Sequence, residues 1–188
     1  MSDEVFVRCL CGQTSFVAEL ECTLPYKGFM CHCSICRHVT GALTFTGIGP
    51  IDTTDHSFTS RLTSYATSER VTRYFCPECG SHTVYHVTKA DRWMVCPGAI
   101  DKVIRGQQDT LEEIKQHEFV ADTGDGGLSC LVPGVPCYLV TGDEPAVEDI
   151  KSALQRVGAE TEKEEQQHLR AECHCGKVKL SISKPDHG

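Results

Sequence analysis

The sequence predicts a mainly β domain that is stabilised by bound metal. Over the first hundred residues, short β-branched and aromatic segments end at turn residues, and helix signals are few. Thirteen of the 188 residues are cysteine, an odd count. The start of the chain, Met1-Ser2-Asp3-Glu4, does not resemble a secretory signal, and dense cysteine without such a signal indicates metal chemistry more than disulfides. We therefore expect a cytoplasmic metal protein.

Length and charge narrow the classes of partner. The chain has room for one domain and a fragment of another. Its 18 basic and 26 acidic residues leave a net charge of −8, which argues against nucleic-acid binding and against an anionic membrane surface. No stretch approaches the roughly 18 apolar residues that a membrane span needs. A small-molecule substrate is expected, and the oligomeric state is left open.

Four strands are predicted in the first hundred residues from β-branched and aromatic runs. The second and third flank a Cys-Pro-Glu-Cys-Gly turn, and the fourth ends at Pro97-Gly98. A capping box from Thr110 to Glu113 predicts one or two helical turns. The predicted strands cover residues 14–20, 70–75, 83–87 and 92–96.

Helix signals become stronger after about residue 141. Pro145 suits the first helical position, an apolar stripe follows at helical spacing, and Gly158 is placed to end the helix. Residues 161–170 are charged, with a second capping box from Thr161 to Glu164, which is typical of a solvated linker helix. The prediction is a helical linker over residues 141–170. The stripe consists of Ala146, Val147, Ile150, Ala153, Leu154 and Val157.

The start of the last eighteen residues resembles a segment within the first twenty residues. Residues 171–181 align with residues 7–17, and each segment contains Cys-x-Cys-Gly followed by a short strand. This similarity indicates an internal duplication whose second copy, residues 171–188, is partial. Because eighteen residues cannot bury a core, the partial copy is expected either to dock on the first domain or to stay loose.

Nine of the cysteines lie in four tight clusters, which is a strong signal for zinc. Cys76 and Cys79, followed by glycine, form a knuckle that presents two sulfurs to one ion and needs a second pair to complete a tetrahedron. Cys9 and Cys11 can supply that pair, which predicts a closed structural site. The four clusters are Cys9 and Cys11; Cys31, Cys33 and Cys36; Cys76 and Cys79; and Cys173 and Cys175.

The central cluster, Cys31, Cys33 and Cys36, has three thiolates within six residues and no obvious fourth cysteine. Three protein ligands and an open position are typical of catalytic zinc. Two other interpretations stay open. Cys33 and Cys36 could form a redox pair, and His32 could be a fourth ligand that makes the site structural.

The isolated cysteines and the scattered histidines have simpler interpretations. A single cysteine usually packs as a small buried apolar residue, and a single histidine is more often a hydrogen-bonded structural residue than a catalyst. These residues are Cys22, Cys96, Cys130 and Cys137, and His38, His56, His82, His86 and His117.

Three motifs in this order carry a family resemblance: Cys-x-Cys-Gly, Cys-His-Cys-x-x-Cys-Arg with Thr40-Gly41-Ala42 behind it, and Phe-Cys-Pro-Glu-Cys-Gly. Residues 5–140 resemble the glutathione-dependent formaldehyde-activating enzyme family, which includes centromere protein V. The resemblance implies an antiparallel β-tent with two zinc sites and the start of a second repeat after the linker. The implied ligands are Cys9, Cys11, Cys76 and Cys79 for structural zinc, and Cys31, Cys33 and Cys36 for catalytic zinc.

The family activity is the addition of glutathione to formaldehyde, giving S-(hydroxymethyl)glutathione in a carbon–sulfur lyase-type reaction. Arg37 and His38 follow the third ligand and are candidates for binding a carboxylate or moving a proton. The competing interpretation is that Arg37 makes a structural hydrogen bond to the ligand loop, residues 31–36, which contains the three cysteines. A non-catalytic, zinc-stabilised binding module is the alternative function.

Overall fold

A computed structural model describes residues 2–52, 57–106, 110–143, 145–158 and 168–183. The chain forms two compact units that do not follow chain order. Unit 1 contains Met1–Phe29 and Thr46–Lys115, and unit 2 contains Met30–Phe45 and Gln116–Gly188. The predicted division at residues 5–140, 141–170 and 171–188 stays a prediction.

The described residues form eleven strands and two α-helices, all the sheets being antiparallel where a register is defined. The predicted mainly β class is confirmed. The strands are β1 (Asp3–Arg8), β2 (Ser15–Leu20), β3 (Tyr26–Cys31), β4 (Thr63–Ser68), β5 (Val71–Phe75), β6 (His82–Val87), β7 (Arg92–Val95), β8 (Ile100–Arg105), β9 (Glu112–Glu118), β10 (His168–Glu172) and β11 (Lys179–Ser183), and the helices are α1 (Ser34–Thr40) and α2 (Ile150–Gly158).

Unit 1 contains a three-stranded sheet in the order β2-β1-β8 and a four-stranded sheet in the order β4-β5-β6-β7. Alternation along β1 places Val5 and Val7 in the core, where both are fully buried. Trp93 on β7 packs its ring against Tyr74 and Phe58. The buried cluster consists of Val5, Val7, Ala18, Leu20, Leu24, Ile48, Ile51, Val84, Trp93, Val95, Ala99 and Val103.

The four predicted strands are all present, as β2, β5, β6 and β7. The helical turns predicted from the capping box at Thr110 are wrong, because β9 (Glu112–Glu118) is a strand that pairs with β3. The backbone N–H of Tyr26 donates to the carbonyl of Leu111 at 2.9 Å, which continues this pairing. Tertiary pairing has overridden a weak local helix signal.

In unit 2, α2 begins at Ile150 rather than at Pro145 and ends at Gly158 as predicted. Asp149 accounts for the later start, because its carboxylate accepts hydrogen bonds from the backbone N–H and the hydroxyl of Ser152 at 3.3 and 2.6 Å. Ala153 and Leu154 from the predicted stripe are buried. The second capping box, at Thr161, lies outside the described residues.

The end of the described chain is a hairpin of β10 and β11, in which His168 pairs with Ser183 and Glu172 with Lys179. The first strand of the hairpin, β10, begins at His168, so the last residues of the segment predicted to be linker helix form a strand instead. The two strands pair only with each other among the described residues. An isolated hairpin is marginally stable in water, so this element adds little to the stability of the rest.

None of the helices within the described ranges is long and apolar enough to cross a membrane.

We predict that deleting all residues after Arg170 leaves the thermal unfolding midpoint of the protein within about 2 °C, because a hairpin that pairs only with itself stabilises little else. Circular dichroism during heating measures this midpoint. A fall of about 8 °C or more would show that the hairpin is part of the folded core.

Candidate metal centres

Two tight turns in unit 1 bring four cysteines together. Cys9 and Cys11 follow β1, and Cys76 and Cys79 lie between β5 and β6. In the second turn the backbone N–H of Gly80 donates to the carbonyl of Cys76 at 2.9 Å, and Gly80 has φ +72. Glycine adopts this conformation without strain, so the motif closes each turn and turns both sulfurs to one side.

The four sulfurs fit a tetrahedral zinc ion. All four lie within 4.8 Å of one another, with Cys9 Sγ 3.5 Å from Cys11 Sγ and Cys11 Sγ 3.7 Å from Cys76 Sγ. Zinc–sulfur bonds of about 2.3 Å at tetrahedral angles separate the sulfurs by about 3.8 Å. Cys9 and Cys76 are buried, so this pair of turns resembles a closed structural site.

Local hydrogen bonds bias one of these sulfurs towards the ionised form. The hydroxyl and the backbone N–H of Ser81 lower the pKa of Cys79 to about 5. In contrast, desolvation and the neighbouring thiols raise the pKa of Cys11 to about 12 against a hydrogen bond from the backbone N–H of Gln13. Four crowded thiols cannot all ionise without a counter-charge, and a divalent cation supplies one.

Cys31, Cys33 and Cys36 form the second cluster, in unit 2, with their sulfurs within 4.8 Å of one another. Cys31 ends β3, Cys33 is the N-cap of α1, and Cys36 lies in the first turn of that helix. The Cys33 sulfur accepts a hydrogen bond from the backbone N–H of Cys36 at 3.3 Å. A strand end and a helix start therefore place three sulfurs around one point.

Crowding also dominates the electrostatics of this cluster. Hydrogen bonds with Cys33 and Cys36, followed by burial, raise the pKa of the Cys31 thiol far above its ordinary value. As at the first cluster, ionisation of all three sulfurs requires a cation. Within the described part of the chain, no fourth cysteine, histidine, aspartate or glutamate joins the three sulfurs. The donor set fits zinc with an open coordination position.

His32, the suggested fourth ligand, points its imidazole at another histidine. Its Nε2 lies 3.0 Å from Nδ1 of His117 on β9, and both rings are fully buried. Desolvation, followed by the charges of His117 and Arg37, lowers the pKa of His32 to about 4, so the ring is neutral at pH 7. The backbone of Gly127 packs against the far side, where an added Cβ would lie 3.0 Å from Nδ1 of His32. His32 therefore packs between His117 and Gly127, supports the ligand loop and is not part of the sulfur cluster.

Arg37 and Asp122 clamp the ligand loop. Arg37 Nε donates to the carbonyl of His32 at 3.0 Å, and a terminal guanidinium nitrogen donates to the carbonyl of Asp122 at 2.6 Å. The Asp122 carboxylate accepts a hydrogen bond from the backbone N–H of Ser34 at 2.7 Å, at the start of α1. The structural interpretation of Arg37 is therefore observed, and its catalytic role stays a prediction.

His38 is exposed on α1, and its Nδ1 lies 2.7 Å from the carbonyl of Ser34. Because a carbonyl only accepts, Nδ1 must carry the proton and Nε2 is left as the basic nitrogen. Of the scattered histidines, His86 contacts Asp91 at 2.9 Å and stacks on Trp93, which fits a structural role. His56 lies outside the described residues.

The isolated cysteines follow the prediction in part. Cys96 and Cys137 are buried and Cys22 is half-buried, but Cys130 is exposed, so the prediction is wrong there. Cys130 lies in a short 3-10 turn, Gly127–Leu131, in which Ser129 is the buried residue and the Cys130 thiol contacts the carbonyl of Gly127 at 3.7 Å. None of the thirteen cysteines, all within the described ranges, forms a disulfide.

The sequence contains no signal that indicates Asp122, and it marks His117 only as one of the scattered histidines. Asp122 lies 85 residues from Arg37 in a 3-10 turn, and no local pattern links the two. The exit from β9 brings them together, where Phe119 adopts a left-handed conformation with φ +58. An aspartate followed by threonine and glycine suggests only a turn.

Comparison with known proteins agrees with this geometry. The profile of the glutathione-dependent formaldehyde-activating enzyme family matches residues 4–121. The chain belongs to this family. The matched region contains both cysteine clusters and ends one residue before Asp122. No curated protein matches the chain significantly.

We predict that Cys76→Ser unfolds the zinc-loaded protein, whereas Cys33→Ser leaves it folded. Structural zinc in small domains contributes on the order of 10 kcal/mol of apparent binding energy to folding. Serine at position 33 can still cap α1, since its hydroxyl also accepts a backbone hydrogen bond. Thermal unfolding with zinc content measures both effects, and Cys130→Ser is the matched control. Equal losses of stability in the two variants would contradict the assignment of roles.

We also predict that Asp122→Ala weakens metal binding at Cys31, Cys33 and Cys36, because the N–H of Ser34 loses its acceptor. One lost hydrogen bond costs about 1 kcal/mol, which corresponds to roughly a fivefold lower affinity. Competition with a chromophoric chelator measures this. Asp122→Asn keeps an acceptor oxygen and should bind metal almost as tightly as the unchanged protein; a loss as large as in Asp122→Ala would argue against the hydrogen bond.

Proposed function

We propose that the protein catalyses the addition of glutathione to formaldehyde, giving S-(hydroxymethyl)glutathione. The observation that carries the proposal is the three-sulfur cluster of Cys31, Cys33 and Cys36, which has no fourth ligand within the described residues and lies in a region that matches the family. We assign this cluster to catalytic zinc and the four-sulfur cluster of unit 1 to structural zinc.

The reaction adds a thiol across a carbonyl. The sulfur–carbon bond forms as the carbon–oxygen π bond breaks, and the thiol proton ends on the new hydroxyl oxygen. When bound, zinc supplies Lewis acidity toward the aldehyde oxygen or the thiol sulfur. Three thiolates and one Zn²⁺ sum to a charge of −1, so an anionic substrate needs a nearby cation.

Arg37 and His38 are the residues of this chain that we assign to those needs. Arg37 directly follows Cys36 on α1, and two of its guanidinium nitrogens hold the ligand loop through hydrogen bonds. We assign the remaining N–H groups of this guanidinium to a glutathione carboxylate. His38 keeps Nδ1 on the carbonyl of Ser34, which leaves Nε2 to take the thiol proton and return it to oxygen. Since thiolates persist in reducing compartments, we also propose a cytoplasmic location.

The direct test measures the exchange between isotope-labelled formaldehyde and its glutathione adduct by exchange NMR, at a mildly acidic pH that slows the uncatalysed reaction. The zinc-loaded protein should accelerate the exchange, Cys33→Ser should abolish the acceleration, and His38→Gln should lower it by about a hundredfold. Cys130→Ser should behave like the unchanged protein.

Two outcomes would contradict the proposal in different ways. A folded, fully metallated protein that does not accelerate exchange would exclude this reaction and favour a zinc-stabilised binding module. Full acceleration by folded Cys33→Ser would keep the activity and move its site away from the three-sulfur cluster.

A further inference from the structure

The hairpin of β10 and β11 repeats the turn that holds Cys9. The backbone N–H of Cys173 donates to the carbonyl of Val178 at 3.0 Å, as that of Cys9 does to Thr14 at 3.0 Å. The N–H of Val178 then donates to the Cys173 sulfur at 3.2 Å, the same distance as from Thr14 to the Cys9 sulfur. The resemblance between the two segments extends from sequence to hydrogen bonding.

The two thiols of the hairpin are placed as ligands are in the first copy. Cys173 Sγ lies 3.4 Å from Cys175 Sγ, compared with 3.5 Å between Cys9 and Cys11. Gly176 closes the turn with φ +70. Cys175 is exposed and Cys173 half-buried, so both sulfurs can be reached from outside. The hairpin is therefore a preformed half of a four-thiolate site.

This half-site lacks two ligands. The groups of three or more metal-binding side chains within the described residues are the two clusters above, and neither includes Cys173 or Cys175. Zinc requires four ligands in a closed site, and two thiolates alone bind it poorly. Two further thiolates must come from outside the hairpin.

The hairpin also has an apolar face without a cover. Leu169 and Ile182 pair across it and are 65% and 53% exposed, and Leu180 beside them is 60% exposed. The matching pair in the first copy, Val5 and Ala18, is 0% and 4% exposed because it lies in the core of unit 1. The hairpin therefore has the pattern of apolar residues that is typical of a buried element.

Charged residues lie on the opposite face by strand alternation. Glu172 and Lys179 pair across the hairpin at 3.6 Å, and Arg170 points the same way. The apolar face consequently carries no charge that would repel an identical surface. A second copy would thus bring an equally apolar face without like-charge repulsion.

We propose that the hairpin is an intermolecular zinc site in which Cys173 and Cys175 of two copies of this chain bind one ion and the apolar faces of the two hairpins cover each other. A second copy supplies both missing features at once, two thiolates in the required geometry and a matching apolar surface. Two-fold symmetry gives the two-plus-two ligand set that a tetrahedral ion needs. The site is independent of the proposed activity.

The test uses the full chain in a phosphine reductant, with zinc added in steps and the mass measured by light scattering during gel filtration. Zinc should convert the protein from one chain of 20.7 kDa to twice that mass. Dimer formation should be complete at about half an equivalent of zinc beyond the amount that the monomer holds. A chelator that binds zinc more weakly than the four-sulfur and three-sulfur clusters do should reverse the change.

Variants separate this proposal from its alternatives. Cys173→Ser with Cys175→Ser should stay monomeric and bind about half an equivalent less zinc, and Cys130→Ser, which also removes an exposed thiol, should dimerise normally. A monomer that takes up a full extra equivalent would overturn the proposal, since the ligands would then come from one chain. The proposal would also be overturned if the double variant still formed the dimer, or if the dimer dissociated only when a disulfide was reduced. Unchanged far-ultraviolet circular dichroism of the double variant shows that it has folded.

Discussion

Sulfur crowding is the physical constraint on which the arrangement of this protein depends. Two turns that lie far apart in the chain place four thiols within 4.8 Å of one another, at distances close to the edges of a zinc–sulfur tetrahedron. Without a cation, such thiols resist joint ionisation and gain little from proximity. With one, the same crowding joins the end of β1 to the turn between β5 and β6 and so stabilises unit 1.

The three-sulfur cluster is positioned mainly by local structure, unlike the four-sulfur cluster. Its ligands lie in six consecutive residues, so little long-range closure is needed, and the backbone itself positions Cys33 as a helix cap. Long-range contacts then hold the loop from outside, through the His32–His117 pair and through Asp122. One short segment and the residues around it therefore position the three sulfurs, whereas the four-sulfur cluster joins two distant turns.

The Cys-x-Cys-Gly hairpin shows how context gives one local structure two roles. Both copies form the same backbone hydrogen bonds and place their sulfurs at nearly the same separation. In the first copy, the core of unit 1 covers the apolar face, β8 pairs with the free edge of β1, and Cys76 and Cys79 complete the group of four cysteines. In the second copy the described residues provide neither, so the hairpin keeps the geometry of a metal site without its ligand number.

The sequence by itself determined the mainly β class of fold, four strands of unit 1, both cysteine clusters and the similarity between the two Cys-x-Cys-Gly segments. These follow from patterns within a few residues, such as alternation, β-branched runs and the spacing of cysteines around a glycine turn. Local signals failed where the chain balances two weak preferences: the capping box at Thr110 gave way to pairing between β3 and β9, and Asp149 rather than Pro145 sets the start of α2.

Only the tertiary structure decided how the ligand loop is supported. It showed that His32 faces His117 instead of the sulfurs, that Arg37 donates to two carbonyls, and that Asp122 holds the start of α1. Apart from the hydrogen bond between Arg37 and His32, these contacts join residues 85 to 88 positions apart, and an isolated histidine or aspartate carries no mark of its distant partner. Spacing along a chain specifies what a short segment does, whereas contacts between segments depend on the path of the whole backbone.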